Sequence, residues 1–441
     1  MTTTTHTSAI RRVSFHTLGC KLNQAETDAI AALFGERGYQ VVPFRQEADL
    51  TFINTCTVTG EADAKSRQVI RQAAEASPQG KIVAAGCFAQ VSPEQVAALE
   101  GVDLVLGTRE KYQVIELLAL LDGGKPEEPL VRVGDVAEVE TWDESPFIAA
   151  TERHRAFLKV QEGCDYACSY CIVPAARGHG RSRPLKDCLA EARRLVAEGY
   201  RELVLTGVNL GTWEEGEGCF HDLLAAVSEV EGLQRIRVSS VEPNLITDEF
   251  IRLVTEQENI APHFHVPLQH ASDRVLKAMR RRYRMSDYRA VVERIAESVP
   301  DAAIGADVMV GFPGETEEDF QILADAVTTL PLTYHHIFRY SERAGTVAAL
   351  LGNRVDPAER KRRSAVLHEI SRKRRESVMR GSLGQTRQVH FERGDGHGRW
   401  EGLTDNYLRV QVPLSDPPPD SFHHVLLTDN NDTYLMGRLA S

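Results

Sequence analysis

Cys164, Cys168 and Cys171 form a C-x3-C-x2-C run, three thiolates within one short segment and no fourth ligand beside them. Structural zinc closes a tetrahedron with four Cys or His ligands, whereas an iron–sulfur cube held by three cysteines keeps one iron open to a small molecule. The missing fourth ligand therefore points to an open, reactive centre. The fold must present that segment at the end of a rigid element with its sulfurs reduced. The competing readings are a zinc site completed from elsewhere and three unrelated core thiols.

The rest of the chain fits a reducing environment. Eight cysteines in 441 residues are too sparse for a disulfide-stapled fold. Met1 to Arg12 is Thr-rich and then basic, without the apolar core of a signal peptide, and no apolar stretch is long enough to span a bilayer, so a cytoplasmic protein with no membrane partner is expected. The length suits about three domains. A net charge of -12 argues weakly against a nucleic-acid partner. Basic runs at 177–183, 280–284, 360–363 and 372–375 argue the other way, although any one of them is also what a solvated helix face looks like.

Residues 11–122 alternate short apolar runs (Val13 to Phe15, Leu50 to Ile53, Lys81 to Ala85, Val102 to Leu106) with amphipathic stretches such as Glu61 to Ala76. This is the pattern of a parallel sheet wrapped by helices. Ligands bind such sheets at the C-terminal ends of the strands. Cys20, Cys56 and Cys87 each follow one of these runs, so the three thiols are expected to converge; three inert buried cysteines are the alternative. Residues 123–153, with Lys125 to Pro129 and Asp143 to Pro146, are expected to be a linker.

From 154 to 376 a second α/β series follows, with strands expected at Ala156 to Gln161, Glu202 to Gly207, Arg235 to Val241, His263 to Gln269, Ala303 to Gly311 and His335 to Tyr340. Six units fall short of the eight of a closed barrel, so a partial (β/α)6 barrel is expected, with the Cys164 motif after its first strand at the catalytic end. Beyond a basic helix, residues 377–441 alternate with period two and carry turn residues at Gly394 to Gly398, Asn406, Ser415 to Pro419 and Asp429 to Asp432. A small antiparallel β-barrel is expected there, either oligonucleotide-binding or simply capping.

The segment Gly163 to Cys171, with Tyr170 just before the last cysteine, resembles the signature of the radical S-adenosylmethionine enzymes. A cysteine-bearing α/β domain before it and a small β domain after it make nearly the whole chain similar to the methylthiotransferase family. Matching segments include Leu18 to Asn23, Ile53 to Val58, Ala85 to Cys87, Arg177-Gly178, Leu205 to Asn209, Ser239 to Pro243 and Val310 to Thr316. The resemblance implies two 4Fe-4S clusters, one on Cys164, Cys168 and Cys171, which cleaves S-adenosylmethionine, and an auxiliary one on Cys20, Cys56 and Cys87 that serves sulfur donation. It further implies an RNA-binding TRAM domain at the C-terminus, a tRNA anticodon stem-loop as substrate, a sulfur donor, and an electron donor such as flavodoxin or ferredoxin.

Gly19 to Gln24 with Glu26-Thr27 is most similar to the branch acting on N(6)-threonylcarbamoyladenosine. The branches acting on isopentenyladenosine or on an aspartate of a small-subunit ribosomal protein are the alternatives, with a non-catalytic iron–sulfur RNA-binding protein behind them. His270 follows Leu268-Gln269 where the family commonly has Ser-Gly, and Arg339 precedes Tyr340-Ser341 where Pro is more usual, which bears on the substrate pocket. Gly207 and Asn209, at a strand end, are candidates to cradle S-adenosylmethionine, or serve a tight turn. Glu242 and Asp307 are candidates to face the cavity, or to pair internally with Arg235 or Arg237. Arg177, with Arg181 and Arg183, is a candidate to hold a carboxylate or phosphate. His263, His265, His335 and His336 are expected to pack the barrel, and Cys188 and Cys219 to be ordinary thiols that neither follow a strand nor complete a motif.

Overall fold

The computed structural model describes residues 10–121, 125–142, 154–414 and 422–440. The expectations for the chain's first residues, for Asp143 to Pro146 and for Ser415 to Pro419 fall mainly outside them.

The first unit is a six-stranded, wholly parallel sheet in the order Gln40–Val42, Arg12–Thr17, Leu50–Thr55, Lys81–Gly86, Leu104–Leu106, Leu130–Arg132. Alternate residues go to opposite faces: Phe52, Val83 and Leu104 pack with Ile30 and Phe34, while Ile53, Ala84 and Val105 pack with Val69, Ile70 and Ala73. A sheet buried on both faces needs apolar residues at consecutive positions, which is why its inner strands read as runs. The last strand, Leu130–Arg132, lies inside the stretch expected as linker.

Six parallel strands form the second unit. Arg155–Lys159, Glu202–Thr206 and Arg235–Val238 make one set, His263–His265, Ala303–Val310 and Tyr334–Arg339 the other. Parallel bridges Ile236↔Ile260 and Ser240↔His265 join them into the expected open barrel. The open side is flanked by the first unit, whose helix Lys21–Glu36 contributes Ala25 and Ala29 to the barrel core.

The C-terminal unit is a closed five-stranded barrel, in the order Thr386–Gly394, Arg399–Thr404, Arg409–Pro413, Leu435–Leu439, Phe422–Asn430. It is antiparallel except where Arg409–Pro413 meets Leu435–Leu439 in a parallel pair. An odd strand number requires one such pair to close the ring. This barrel is bolted to the central one. Arg235 donates to the carbonyls of Gln388 (3.0 Å) and Leu403 (3.3 Å), and Arg237 to those of Thr404 (2.7 Å) and Asp405 (2.8 Å). Buried Glu202 receives Arg237 at 2.8 Å, Arg235 at 3.4 Å and His390 at 3.1 Å. Tyr407, at φ +68°, inserts its ring 4.5 Å from that of His263.

The basic runs are largely neutralised. On the helix Pro357–Gly381, Arg362 and Arg363 pair with Glu359, Arg372 with Glu369 and Glu376, and Arg380 with Glu376, while Arg374 donates to the Leu332 carbonyl at 2.6 Å. Long basic side chains spaced three or four residues from acids close such pairs along one helix face. Among the described residues, no helix is long and apolar enough to cross a membrane.

Candidate functional site

The Cys164 motif leaves the first barrel strand through Gly163, at φ +67°, where an added Cβ would stand 1.8 Å from the His179 carbonyl oxygen. Only glycine passes there. The Cys164 N–H donates to Gly178 O (3.1 Å), the Tyr166 N–H to the Cys164 sulfur (3.4 Å), and the Cys171 N–H to Cys168 O (3.1 Å), so the backbone folds the three thiols around one point. Arg281 donates to the Cys168 sulfur at 3.3 Å and pairs with Glu242. Burial pushes the Cys171 thiol up to about 12 and raises those of Cys164 and Cys168. Such thiols hold their protons until a metal replaces them.

All three cysteines line a cavity of about 340 Å³ with Asn209, Glu242, Asp307, Met309 and Phe338. The Asn209 amide is buried there, near enough to the Cys164 thiol to favour its ionised form and without an oxygen or nitrogen partner among the described residues. Such a donor–acceptor pair beside three thiols fits the amino-acid end of S-adenosylmethionine on an open iron. Gly207 does not line the cavity. It lets the chain pass against Gln161, whose Oε1 accepts the Val208 and Asn209 N–H groups at 2.8 Å, so it serves the turn that aims Asn209.

Glu242 and Asp307 face the cavity, but neither pairs with Arg235 or Arg237, which are committed to Glu202. Glu242 takes Arg281. Asp307 lies 3.1 Å from His265 Nε2 and 3.3 Å from His336 Nδ1; burial would raise its carboxyl, yet the two imidazoles hold it well below the usual range. His265 and His336 thus position Asp307, beyond packing.

The three N-terminal cysteines lie just past the C-terminal ends of three adjacent strands. Cys20 caps the helix Lys21–Glu36, Cys56 directly follows Leu50–Thr55, and Cys87 opens a helix directly after Lys81–Gly86. Gly19, at φ +96°, passes so close that a Cβ would lie 2.8 Å from the Cys56 sulfur. Burial drives the Cys56 thiol up to about 12, with Cys87 and Cys20 close enough to push it further. Three convergent thiols at one sheet edge fit a second cluster by the same donor-set argument.

The two cysteine groups share a wall. Val58 and Thr59, next after Cys56, line the Cys164 cavity. Their loop is fastened to the barrel by Arg343, which reaches Thr57 Oγ1 (2.6 Å) and Asp63 (2.7 Å), by the Gly60 N–H donating to Ser341 Oγ (2.8 Å), and by Arg339 on Glu61.

Arg177 is the main displacement from expectation. It is 3% exposed and lines no part of the cavity. It lies between the units, on Glu26 (3.0 Å), Glu162 (2.7 Å) and Asn23 Oδ1 (2.5 Å), with Lys111 (2.5 Å) and Lys159 (3.1 Å) on the same Glu26. Both terminal nitrogens of this buried guanidinium are committed to Glu26, Glu162 and Asn23, away from the cavity. Arg183 is likewise taken by Glu191, and Arg181 by the His179 carbonyl at 2.8 Å. Cys188 is buried with its thiol toward Arg183 O. Cys219, contrary to expectation, ends a two-residue strand and touches His221 and Asp222. His270 is buried near Glu315 at 3.7 Å, and Arg339 stands at the cavity rim.

Sequence comparison agrees with this geometry. Residues 12–107 match the model of an uncharacterized protein family, UPF0004, and residues 158–327 that of the Radical SAM superfamily. The threonylcarbamoyladenosine tRNA methylthiotransferase MtaB of Bacillus subtilis is 39% identical over 406 residues, covering 90% of this chain and 89% of the relative; that of Aquifex aeolicus is 38% identical, covering 91% and 96%. The chain belongs to the radical S-adenosylmethionine methylthiotransferase family. A tRNA-2-methylthio-N(6)-dimethylallyladenosine synthase from Jannaschia is 32% identical over 98% of this chain and 94% of its own length. In fold, the radical S-adenosylmethionine methyltransferase TsrM of Kitasatospora setae, solved with cobalamin and a [4Fe-4S] cluster, superposes with a TM-score of 0.55 at 18% identity over 75% of each chain. For a methylthiotransferase, the residues that sequence reasoning missed are Arg281 at Cys168, Arg343 at the shared wall, and Glu26 between the units. Each acts through a partner more than thirty residues away, which no local pattern reveals.

Proposed function

We propose that this protein inserts a methylthio group at carbon 2 of N(6)-threonylcarbamoyladenosine beside the tRNA anticodon. The observation that carries the reading is one cavity lined by the Cys164 trio and by Val58 and Thr59, two and three residues after Cys56. Cys164, Cys168 and Cys171 hold one 4Fe-4S cluster, and Cys20, Cys56 and Cys87 the other. When bound, these groups and S-adenosylmethionine supply a 5′-deoxyadenosyl radical and a transferable methylated sulfur. Asn209, beside the Cys164 thiol, offers its amide to the cofactor's amino-acid end. Arg281 donates to the Cys168 sulfur and is oriented by Glu242, while Pro267, Met309 and Phe338 give the cavity its apolar wall. The choice of base is supported by the relatives' printed substrates and by Gly19-Cys20-Lys21. The protein works in the cytoplasm with an external sulfur donor and a flavodoxin- or ferredoxin-type reductant.

Mass spectrometry of nucleosides from tRNA incubated with the reconstituted protein tests this. Threonylcarbamoyladenosine should gain a methylthio group; gain on isopentenyladenosine alone would reject the substrate. Arg343→Ala should uncouple the two halves, because it frees the Cys56 loop from the barrel. Methylthio product per 5′-deoxyadenosine should fall about 10- to 100-fold, the usual consequence of a reacting group misplaced by about 1 Å. An unchanged ratio would show that the loop holds its place without this residue.

A further inference from the structure

Lys21 directly follows Cys20 and opens the helix Lys21–Glu36, a place where the helix dipole disfavours a cation. It is partly buried and reaches toward the barrel lumen, with its ammonium 5.7 Å from the Tyr407 ring centroid. The other cations around the lumen have carboxylates. Arg155 pairs with Glu392 at 3.0 Å, Arg237 with Glu202 at 2.8 Å, Arg281 with Glu242, and Lys159 with Glu26 at 3.1 Å. Asp307, the nearest acid on the cavity wall, is occupied by His265 and His336. Among the described residues Lys21 has no ion-pair partner at all, although it stands close enough to Arg237 and Asp307 to feel their charges.

A partly buried cation that has no carboxylate partner among the described residues and stands near Asp307 of the cavity wall is a site prepared for an anion. We infer that Lys21 binds the carboxylate of the threonylcarbamoyl group and thereby selects that base over one with an apolar substituent at N6. The inference rests on the proposed substrate. Carbon 2 and N6 lie on one edge of adenine, so a base presenting carbon 2 to sulfur near Cys20 brings its N6 substituent to the neighbouring side chain. A carboxylate there neutralises Lys21. An isopentenyl group would leave the ammonium desolvated and unpaired, which discriminates more strongly than a poor steric fit.

The test uses the full-length, cluster-reconstituted protein and two anticodon stem-loop RNAs, one bearing threonylcarbamoyladenosine and one with its carboxylate converted to a carboxamide. Wild type should prefer the carboxylate by roughly 10- to 100-fold in kcat/KM, the range of a charge-assisted hydrogen bond. Lys21→Met should collapse that preference to near one, chiefly by raising KM for the carboxylate RNA, and Lys21→Arg should restore part of it. Binding of the two RNAs without reductant should show the same ratio. An unchanged preference in Lys21→Met would overturn the inference. So would a loss of iron with both RNAs slowed alike, which would assign the charge to the sulfur at Cys20. If wild type accepts only isopentenyl RNA, the substrate reading itself fails and this inference falls with it.

Discussion

Cys56→Ala is expected to yield a protein that still forms 5′-deoxyadenosine from S-adenosylmethionine but transfers no methylthio group, whereas Cys168→Ala is expected to do neither. On the two-cluster reading each variant should lose about half the bound iron, because each removes one ligand from one of two cubes. The contrast follows from the architecture. Cys56 belongs to the first sheet and reaches the cavity only through the loop that follows it, while Cys168 lies on the cavity wall with Arg281 on its sulfur. Iron analysis with chromatography of nucleosides separates the outcomes; a Cys56→Ala protein that keeps all its iron would overturn the two-cluster reading.

Glu26→Ala is expected to be the most destabilising single change, by about 3–5 kcal/mol, the usual cost of stripping one partner from a buried ion pair. Its side chain is fully buried among Arg177, Lys111 and Lys159, leaving Glu162 as the second carboxylate of the group. Burial alone would raise the Glu26 carboxyl, but Arg177, Lys111 and Lys159 outweigh it and hold it well below its ordinary value. Without it, three cations share one acid. Thermal unfolding should show the central barrel losing its grip on the N-terminal unit; a loss below about 1 kcal/mol would mean that water enters and solvates the cations.

The elements that sequence reasoning places well are those buried on both faces, because their composition is forced at every position. Leu50–Thr55 is buried throughout and reads as a strand without help. Gln40–Val42 and Leu130–Arg132 escape notice because they are three-residue sheet edges and largely exposed, so burial does not force their composition. Cys20, Cys56 and Cys87 were legible as residues at adjacent strand ends, and Cys164, Cys168 and Cys171 by their spacing along one segment. Charged residues were not. Arg177, Arg281 and Arg372 are equivalent in sequence, each within a basic run, yet they lie respectively between domains, against a cysteine sulfur and on a helix face paired with its neighbours. Which anion meets each cation is a property of the tertiary arrangement alone.

The ion cluster around Glu26 also bears on the order in which the molecule is made. Glu26 and Lys111 leave the ribosome first, inside a unit that can complete its own sheet, whereas Lys159, Glu162 and Arg177 bracket the Cys164 segment and emerge later. Domains generally fold in that sequence during synthesis. The Cys164 segment thus gains its counter-charges only by closing onto a finished neighbour. A truncated chain lacking that neighbour would carry its oxidisable thiols on an unsettled loop, open to proteolysis, instead of a competent radical source uncoupled from its sulfur supply.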